Sequence, residues 1–414
     1  MCKDVVRLQN TINLFLYIFG VGHHYRLSPH IGNTVFFTVI CTMQKNTRFI
    51  PELEGLRGIA ALAVAVCHHI ATYCLSGDCA YWMQPFPKEG WDGKLFTIIT
   101  MFFNANLAVV LFFVLSGFVL SASLASSQGA MGARGIAGYY VKRVFRIYPA
   151  HLVALIAMTA LLLAIPFAQG GNYSDFFTSV YSIKISAWSF IKNAALYNTT
   201  INPVTWTLPV EIIGSFFIPL FLLSNRWQLP GKLVVLAVLI AISWRFQQVL
   251  PVKYLFCFYL GMILKDIMAA LQLQRSLPLL YGGLAVSAFS RLLSTWDSGA
   301  YINDLLCALA SVMIISAILL KSNDVIFKFF DNGIIKKLGQ RSYSFYIIHL
   351  SIMSPIVVLL TRMGLGGING VVANLVVTVV GITCSYYISG LLFTYVEKPF
   401  IKLGKAFTGR LSIG

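Results

Sequence analysis

The chain has 414 residues, of which 58% are hydrophobic and 11% charged, with a formal net charge of +17. A soluble chain carries about a quarter charged residues, so a soluble enzyme is excluded. The lysines and arginines fall in short gaps between apolar segments rather than on a soluble domain, which argues against nucleic acid as a partner and makes membrane lipid the surroundings.

Residues 1–42 hold two apolar stretches, 11–19 and 35–41, too short to span a bilayer, and no small-residue cleavage site follows them. A polar stretch begins at Met43, which reads as a natural initiator, with 1–42 as an N-terminal extension, 43–402 as the membrane domain and 403–414 as a tail. From Gly58 onward, length and hydropathy predict about ten spanning segments: 58–75, 105–125, 150–167, 205–223, 232–249, 252–270, 277–294, 302–320, 343–361 and 371–395. The expected class is an all-α integral membrane bundle of about ten transmembrane helices. Lysines and arginines concentrate in alternate gaps, at 126–149, at 321–342 and in the tail, so both termini are expected in the cytoplasm. The polar and aromatic gap 168–204 is expected on the membrane surface. The eight cysteines include no CxxC, and no zinc or other metal site is expected. Cys74 and Cys79 would pair in an oxidising compartment; two free thiols are the expectation.

The chemistry-bearing residues sort by position. Pro51–His69 opens with Glu52, Glu54 and Arg57 and closes on His68 and His69. Arg57 and His68 are about three helical turns apart and share a face, with His68 deep in the slab and His69 turned away by ~100°. Titratable groups at that depth usually mark a site. Ser116 and Gly117 fall in the cytoplasmic half of the second span. Arg143 and Arg146, at i and i+3, present two guanidinia on one helix face. Such a pair suits phosphates; an anchor on anionic lipid is the plainer reading. Glu211 reads as the one acid well inside a span, on the outer side of centre, partnering a histidine, a substrate or a neighbouring helix. Ser342, Tyr343, Tyr346 and His349 form a polar stripe. Glu397 and Lys398 read as a surface salt link. No nucleophile elbow, Walker loop or H-E-x-x-H is present. A deep histidine with arginines near one face suggests group transfer from a phosphorylated donor.

Six motifs in order, PELEGLRGIAALAVAVCHH, FFVLSGFVL, KRVFRIYPA, TWTLPVEI, RSYSFYIIHL and VEKPF, resemble membrane acyltransferase family 3, which includes O-antigen acetylases. The resemblance runs from about 49 to 402. It implies that His68 is the essential histidine, with Glu211 as its catalytic partner. It implies that Arg57, Arg143, Arg146, Ser116 and Gly117 bind acyl-CoA, supported by Glu52, Glu54, Trp206, Ser342, Tyr343, Tyr346 and His349. Thr207 stands where the family has serine, and Glu52 with Glu54 where E-x-D is common. The implied donor is acyl-CoA, acetyl-CoA first, as co-substrate without a bound cofactor. The implied acceptor is a surface or lipid-linked carbohydrate, and the implied location a bacterial inner membrane. A lipid or antibiotic acceptor is an alternative. A proton-coupled transporter is another, against which no internal repeat or paired broken helix is seen.

Overall fold

The computed structural model describes residues 50–75, 77–81, 90–125, 132–165, 171–293, 300–320, 325–330, 332–364 and 369–411. The Met43 start and the stretches 11–19 and 35–41 lie outside them. Ten helices fall on the ten expected segments. These are α1 (Pro51–His69), α2 (Ala105–Ala125), α3 (Ala133–Ala164), α4 (Thr207–Phe221) and α5 (Leu229–Arg245). The second half is α6 (Leu255–Ala270), α7 (Ser276–Leu293), α8 (Ala300–Leu320), α9 (Ser342–Arg362) and α10 (Gly370–Leu392). The described residues form no strand, only two isolated bridges.

Six helical stretches among the described residues are long and apolar enough to cross a membrane, and the protein is multi-pass: Gly90–Ala125, Ala133–Ala164, Pro203–Arg226, Tyr301–Leu320, Ser342–Arg362 and Gly370–Gly409. α1 is not among them, because Glu52, Glu54 and Arg57 occupy its first two turns. Yet α1 is the central helix. It packs against α2, α9, α10 and the short Gly333–Gln340 helix, and most of its residues are buried.

Two helix boundaries differ from expectation in ways that matter. α1 stops at His69 rather than near 75. The carboxamide of Asn374 on α10 accepts from the backbone N–H of Thr72 (3.1 Å) and Tyr73 (2.8 Å), and so holds the chain in a turn. α3 starts at 133 rather than 150 and runs 32 residues, or ~48 Å at 1.5 Å per residue. That exceeds a ~30 Å hydrocarbon slab, so the arginine-bearing gap is the first half of a helix.

Beyond α1 the chain makes a tight hairpin. Leu75 and Asp78 exchange backbone hydrogen bonds of 3.0 and 2.7 Å. Gly77 sits at φ +82° in the turn, a conformation that glycine adopts without steric cost. The next pair outward is Cys74 and Cys79, with Cα atoms 4.3 Å apart, and they form a disulfide. The expectation of two free thiols is therefore corrected: the hairpin register, invisible in the spacing alone, brings them opposite each other. The Tyr81 hydroxyl donates to the Tyr73 and Ile70 carbonyls at 3.1 and 3.3 Å. Burial pushes its pKa well above the usual phenol range, so it remains a donor.

Residues 171–202 carry two short helices, Asp175–Tyr181 and Ala187–Ala194. They fold over the His68 end of α1. The Ser174 N–H donates to the Thr72 carbonyl, and the Cys74 N–H to the Asn172 carbonyl, both at 2.9 Å. The Tyr181 hydroxyl and the Asn202 amide donate to the Leu350 and Ile347 carbonyls of α9 at 2.5 and 2.8 Å.

Elsewhere the bundle is locked by close approach and by buried polar pairs. Gly117 on α2 faces the Phe258 backbone of α6, while Gly261 on α6 faces the Val114 carbonyl of α2. A Cβ at either site would overlap main chain, the small-residue contact that membrane helices favour. Glu211 is not alone as an acid inside an expected span. Asp304 on α8 is buried, pairs with Lys253 Nζ at 2.6 Å, and accepts from the Asn106 amide at 3.0 Å and the Tyr254 hydroxyl at 3.3 Å. Those donors offset the cost of burying its charge.

Candidate active site

The site is built along α1. Arg57 and His68 lie on one face, eleven residues or ~16 Å apart. At the Arg57 end, α1, α2, α3, α4 and α9 enclose a cavity of ≈ 590 Å³, counting the part open to solvent. Arg57, Arg146, Glu211, Ser116, Thr207 and Ser342 supply its polar lining, and Val109, Phe112, Phe113, Ile147, Leu208, Tyr343 and Tyr346 its apolar and aromatic walls.

Register between α3 and α4 sets the charges. Pro219 in α4 has no N–H, which leaves the Ser215 carbonyl without its helical donor. The Tyr139 hydroxyl donates to it at 3.0 Å, and the Tyr140 hydroxyl donates to the Phe216 carbonyl at 2.9 Å. One turn along α3 from Tyr139, and one turn back along α4, Arg143 Nη2 meets Glu211 Oε1 at 2.5 Å. One turn further, Ile147 meets Leu208. Arg146 looks the other way. Its Nη2 lies 4.0 Å from Oε1 of Glu397, a buried acid whose Oε2 accepts from the Ser344 hydroxyl at 2.7 Å. Glu397 ends a π-helical turn, Phe393–Glu397, that joins α10 to the Lys398–Leu411 helix. Such turns carry an extra residue and recur at functional sites.

At the other end of α1, His68 is half-buried, and its Nδ1 lies 2.9 Å from Nε2 of His349 on α9. His349 Nδ1 is 2.7 Å from the Tyr346 carbonyl oxygen. Phe176, from the covering segment, lies nearly parallel to the His68 ring with centroids 5.3 Å apart. His69 is fully buried, and its Nδ1 is 2.7 Å from the Ala65 carbonyl. Tyr346 links the two ends: it lines the cavity, and its carbonyl holds the histidine that touches His68.

Arginines at one end and a half-buried imidazole one helix-length away can hold an anionic donor and move a proton. No group of three or more His, Cys, Asp or Glu among the described residues is placed to hold a metal. Comparison with known families agrees with the chemistry: the sequence pattern of the acyltransferase domain family (Acyl_transf_3) matches residues 50–390. The chain belongs to the acyltransferase domain family. No curated protein and no solved structure matches it.

In this membrane acyltransferase the structure brings together Arg57, Arg146, Ser116, Glu211, Ser342, Tyr343 and Tyr346 around one cavity. His68 and His349 meet at the other end of α1, outside that lining. Three expected placements change. Glu211 lies with Arg143 and Arg57 rather than beside His68, because the α3–α4 register sets its level. Arg143 is held by Glu211 and is not part of the cavity lining. Gly117 packs against α6 instead of lining the cavity. Trp206 packs on Phe113 and Tyr254, one layer behind the wall. Glu52 is buried in the first turn of α1, and Glu54 is half-buried nearby. The Tyr343 hydroxyl donates to the Ile147 carbonyl at 2.7 Å, tying α9 to α3.

Two residues escaped the sequence reading. Glu397 reads as a surface acid because nothing in VEKPF announces a π turn. Phe176 reaches His68 only through the fold of the covering segment, and no sequence signal marks it.

Proposed function

We propose that this acyltransferase moves an acyl group, acetyl in the first instance, from acyl-CoA to a hydroxyl of a surface or lipid-linked carbohydrate. The carrying observation is the order of groups along α1: arginines at one end of an aromatic-walled cavity, then the His68–His349 pair. Planar guanidinia suit the donor's phosphates, which assigns Arg57 and Arg146 to the donor and leaves the thioester to reach His68. The acceptor oxygen attacks the thioester carbonyl as His68 takes its proton. The C–S bond breaks, and the leaving thiolate takes that proton from His68. The products are an ester and free CoA, with no bound cofactor.

Ten crossings with both termini in the cytoplasm of a bacterial inner membrane complete the reading. Two independent features support this orientation. Cationic gaps cluster at the Arg57 end, and the Cys74–Cys79 disulfide lies at the His68 end, where an oxidising compartment would keep it. Donor therefore enters from the cytoplasm and acceptor from the opposite side. The carbohydrate acceptor rests on the likeness of the six motifs to glycan-modifying enzymes.

The test is transfer from radiolabelled acetyl-CoA by protein in nanodiscs, with membrane glycans as acceptor and His68→Ala as control. The reading expects label on glycan, matched mole for mole by released CoA and absent from the variant. Label in a lipid or small-molecule fraction would overturn the acceptor. Proton-coupled solute flux without CoA release would overturn the enzyme.

A further inference from the structure

The hydrogen bond between His68 and His349 has a direction. A neutral imidazole carries one N–H and one lone pair. His349 Nδ1 lies 2.7 Å from the Tyr346 carbonyl oxygen, which can only accept, so the His349 proton sits on Nδ1. Its Nε2 then carries the lone pair. That nitrogen is 2.9 Å from His68 Nδ1, so His68 Nδ1–H must be the donor. The two rings are tilted by only 8° with centroids 5.2 Å apart. That separation equals the N···N distance plus two ring radii, so the rings meet edge to edge along a straight N–H···N bond. Doubly protonated His349 would bury a charge in a fully buried side chain whose ring neighbours among the described residues are His68, His69, Phe345 and Tyr346, none of them an acid, at a desolvation cost.

We propose that His349 is the positioning residue that fixes His68 in its Nδ1–H tautomer and makes His68 Nε2 the basic nitrogen. This deepens the acyltransferase reading and rests on His68 as the base. The tautomer is set through two hydrogen bonds: the Tyr346 carbonyl holds the His349 proton, and His349 Nε2 holds the His68 proton, while Phe176 lies against the His68 ring. During transfer the acceptor hydroxyl proton moves to His68 Nε2 as the oxygen–carbon bond forms. The imidazolium so created shares its charge through Nδ1–H with His349. When the C–S bond breaks, the proton leaves Nε2 for the thiolate, and both histidines return to their starting states. Holding a catalytic imidazole in one tautomer through its other nitrogen is a general device.

The experiment combines nitrogen NMR of histidine-labelled protein in nanodiscs with kinetics of His349→Ala and His349→Gln. The expected wild-type spectrum has His68, assigned by its loss in His68→Ala, protonated at Nδ1 and bare at Nε2. His349→Ala should lower kcat by about 100-fold or more while the acyl-CoA KM stays within about threefold. His349→Gln offers an amide oxygen to His68 Nδ1–H and should recover about tenfold of that loss. A wild-type His68 protonated at Nε2 overturns the proposal, as does a His349→Ala enzyme that turns over normally or fails only in KM. If the alanine variant does not fold, the wild-type spectrum and the glutamine variant still decide. A wild type with no acyl transfer would overturn the function, while the spectrum would still settle the tautomer.

Discussion

Replacing Glu211 with glutamine separates two roles that the sequence left open. The Arg143–Glu211 pair is 2.5 Å long, with side chains 13% and 24% exposed. A surface pair of this kind contributes about 0–1 kcal/mol, whereas a hydrogen bond to a charged, poorly hydrated group contributes about 1.5–3 kcal/mol. Glutamine keeps one neutral acceptor, so Glu211→Gln should cost about 1–2 kcal/mol. Glu211→Ala should cost about 3 kcal/mol or more, because it strands the Arg143 charge. A double-mutant cycle with Arg143→Gln should give a coupling of about 1.5–3 kcal/mol, or about 10- to 150-fold in the unfolding equilibrium. The assay is denaturant unfolding in mixed micelles, followed by tryptophan fluorescence. In the folded fraction of Glu211→Gln the acyl-CoA KM should not rise, because the change removes a negative charge from a cavity that takes an anionic donor. The pH–rate profile should keep its shape, since the carboxylate bonds to an arginine and not to a histidine. A coupling below about 0.5 kcal/mol would refute the reasoning. So would a displaced pH profile with unchanged stability, which would put the Glu211 charge in the chemistry at His68.

His68→Ala should abolish transfer at normal protein levels. His69→Ala removes a fully buried ring packed on Gly381, so it should cost about 2–4 kcal/mol of stability yet leave activity per folded molecule. Equal activity loss in both folded variants contradicts that division. Arg146→Ala should raise the acyl-CoA KM by about tenfold, one lost charge-assisted contact, and Arg146→Lys should recover part of it; a change confined to the acceptor KM refutes the donor role. Replacing Cys74 and Cys79 by serine opens a short loop and should cost about 2 kcal/mol. In intact cells, an impermeant maleimide should label these two positions only after reductant is added, and labelling before reduction overturns the pairing.

Much of the site was legible because α1 is a local object. Eleven residues of helix fix the Arg57–His68 spacing wherever the helix sits, and the Tyr346–His349 stripe follows from the same periodicity. What failed needed knowledge of neighbours. The depth of Glu211 depends on how α4 slides along α3, which tyrosine hydroxyls set from another helix. Gly117 looks the same in a binding motif as in a helix contact. The KRVFR stretch looks like a gap because its charges end the hydropathy run, although the helix continues through it. The covering segment, polar and aromatic, offers no periodicity to place Phe176 over a ring a hundred residues earlier.

The tyrosine bonds that set α3 against α4 end on main-chain carbonyls, groups that every residue possesses. On the receiving helix, the Arg143–Glu211 and Ile147–Leu208 contacts add to this alignment without being its sole source. Val109, Phe112 and Phe113 line the cavity from α2, outside the α3–α4 contact, so substitutions there leave the Tyr139 and Tyr140 bonds in place. Evolutionary freedom is thus distributed unevenly within one chamber. The charged end is anchored by bonds that depend on Tyr139 and Tyr140 but not on the residues that accept them, and the apolar end is open to change. A lineage built on this frame can vary the apolar wall of the chamber by ordinary substitutions without first rebuilding its charged end.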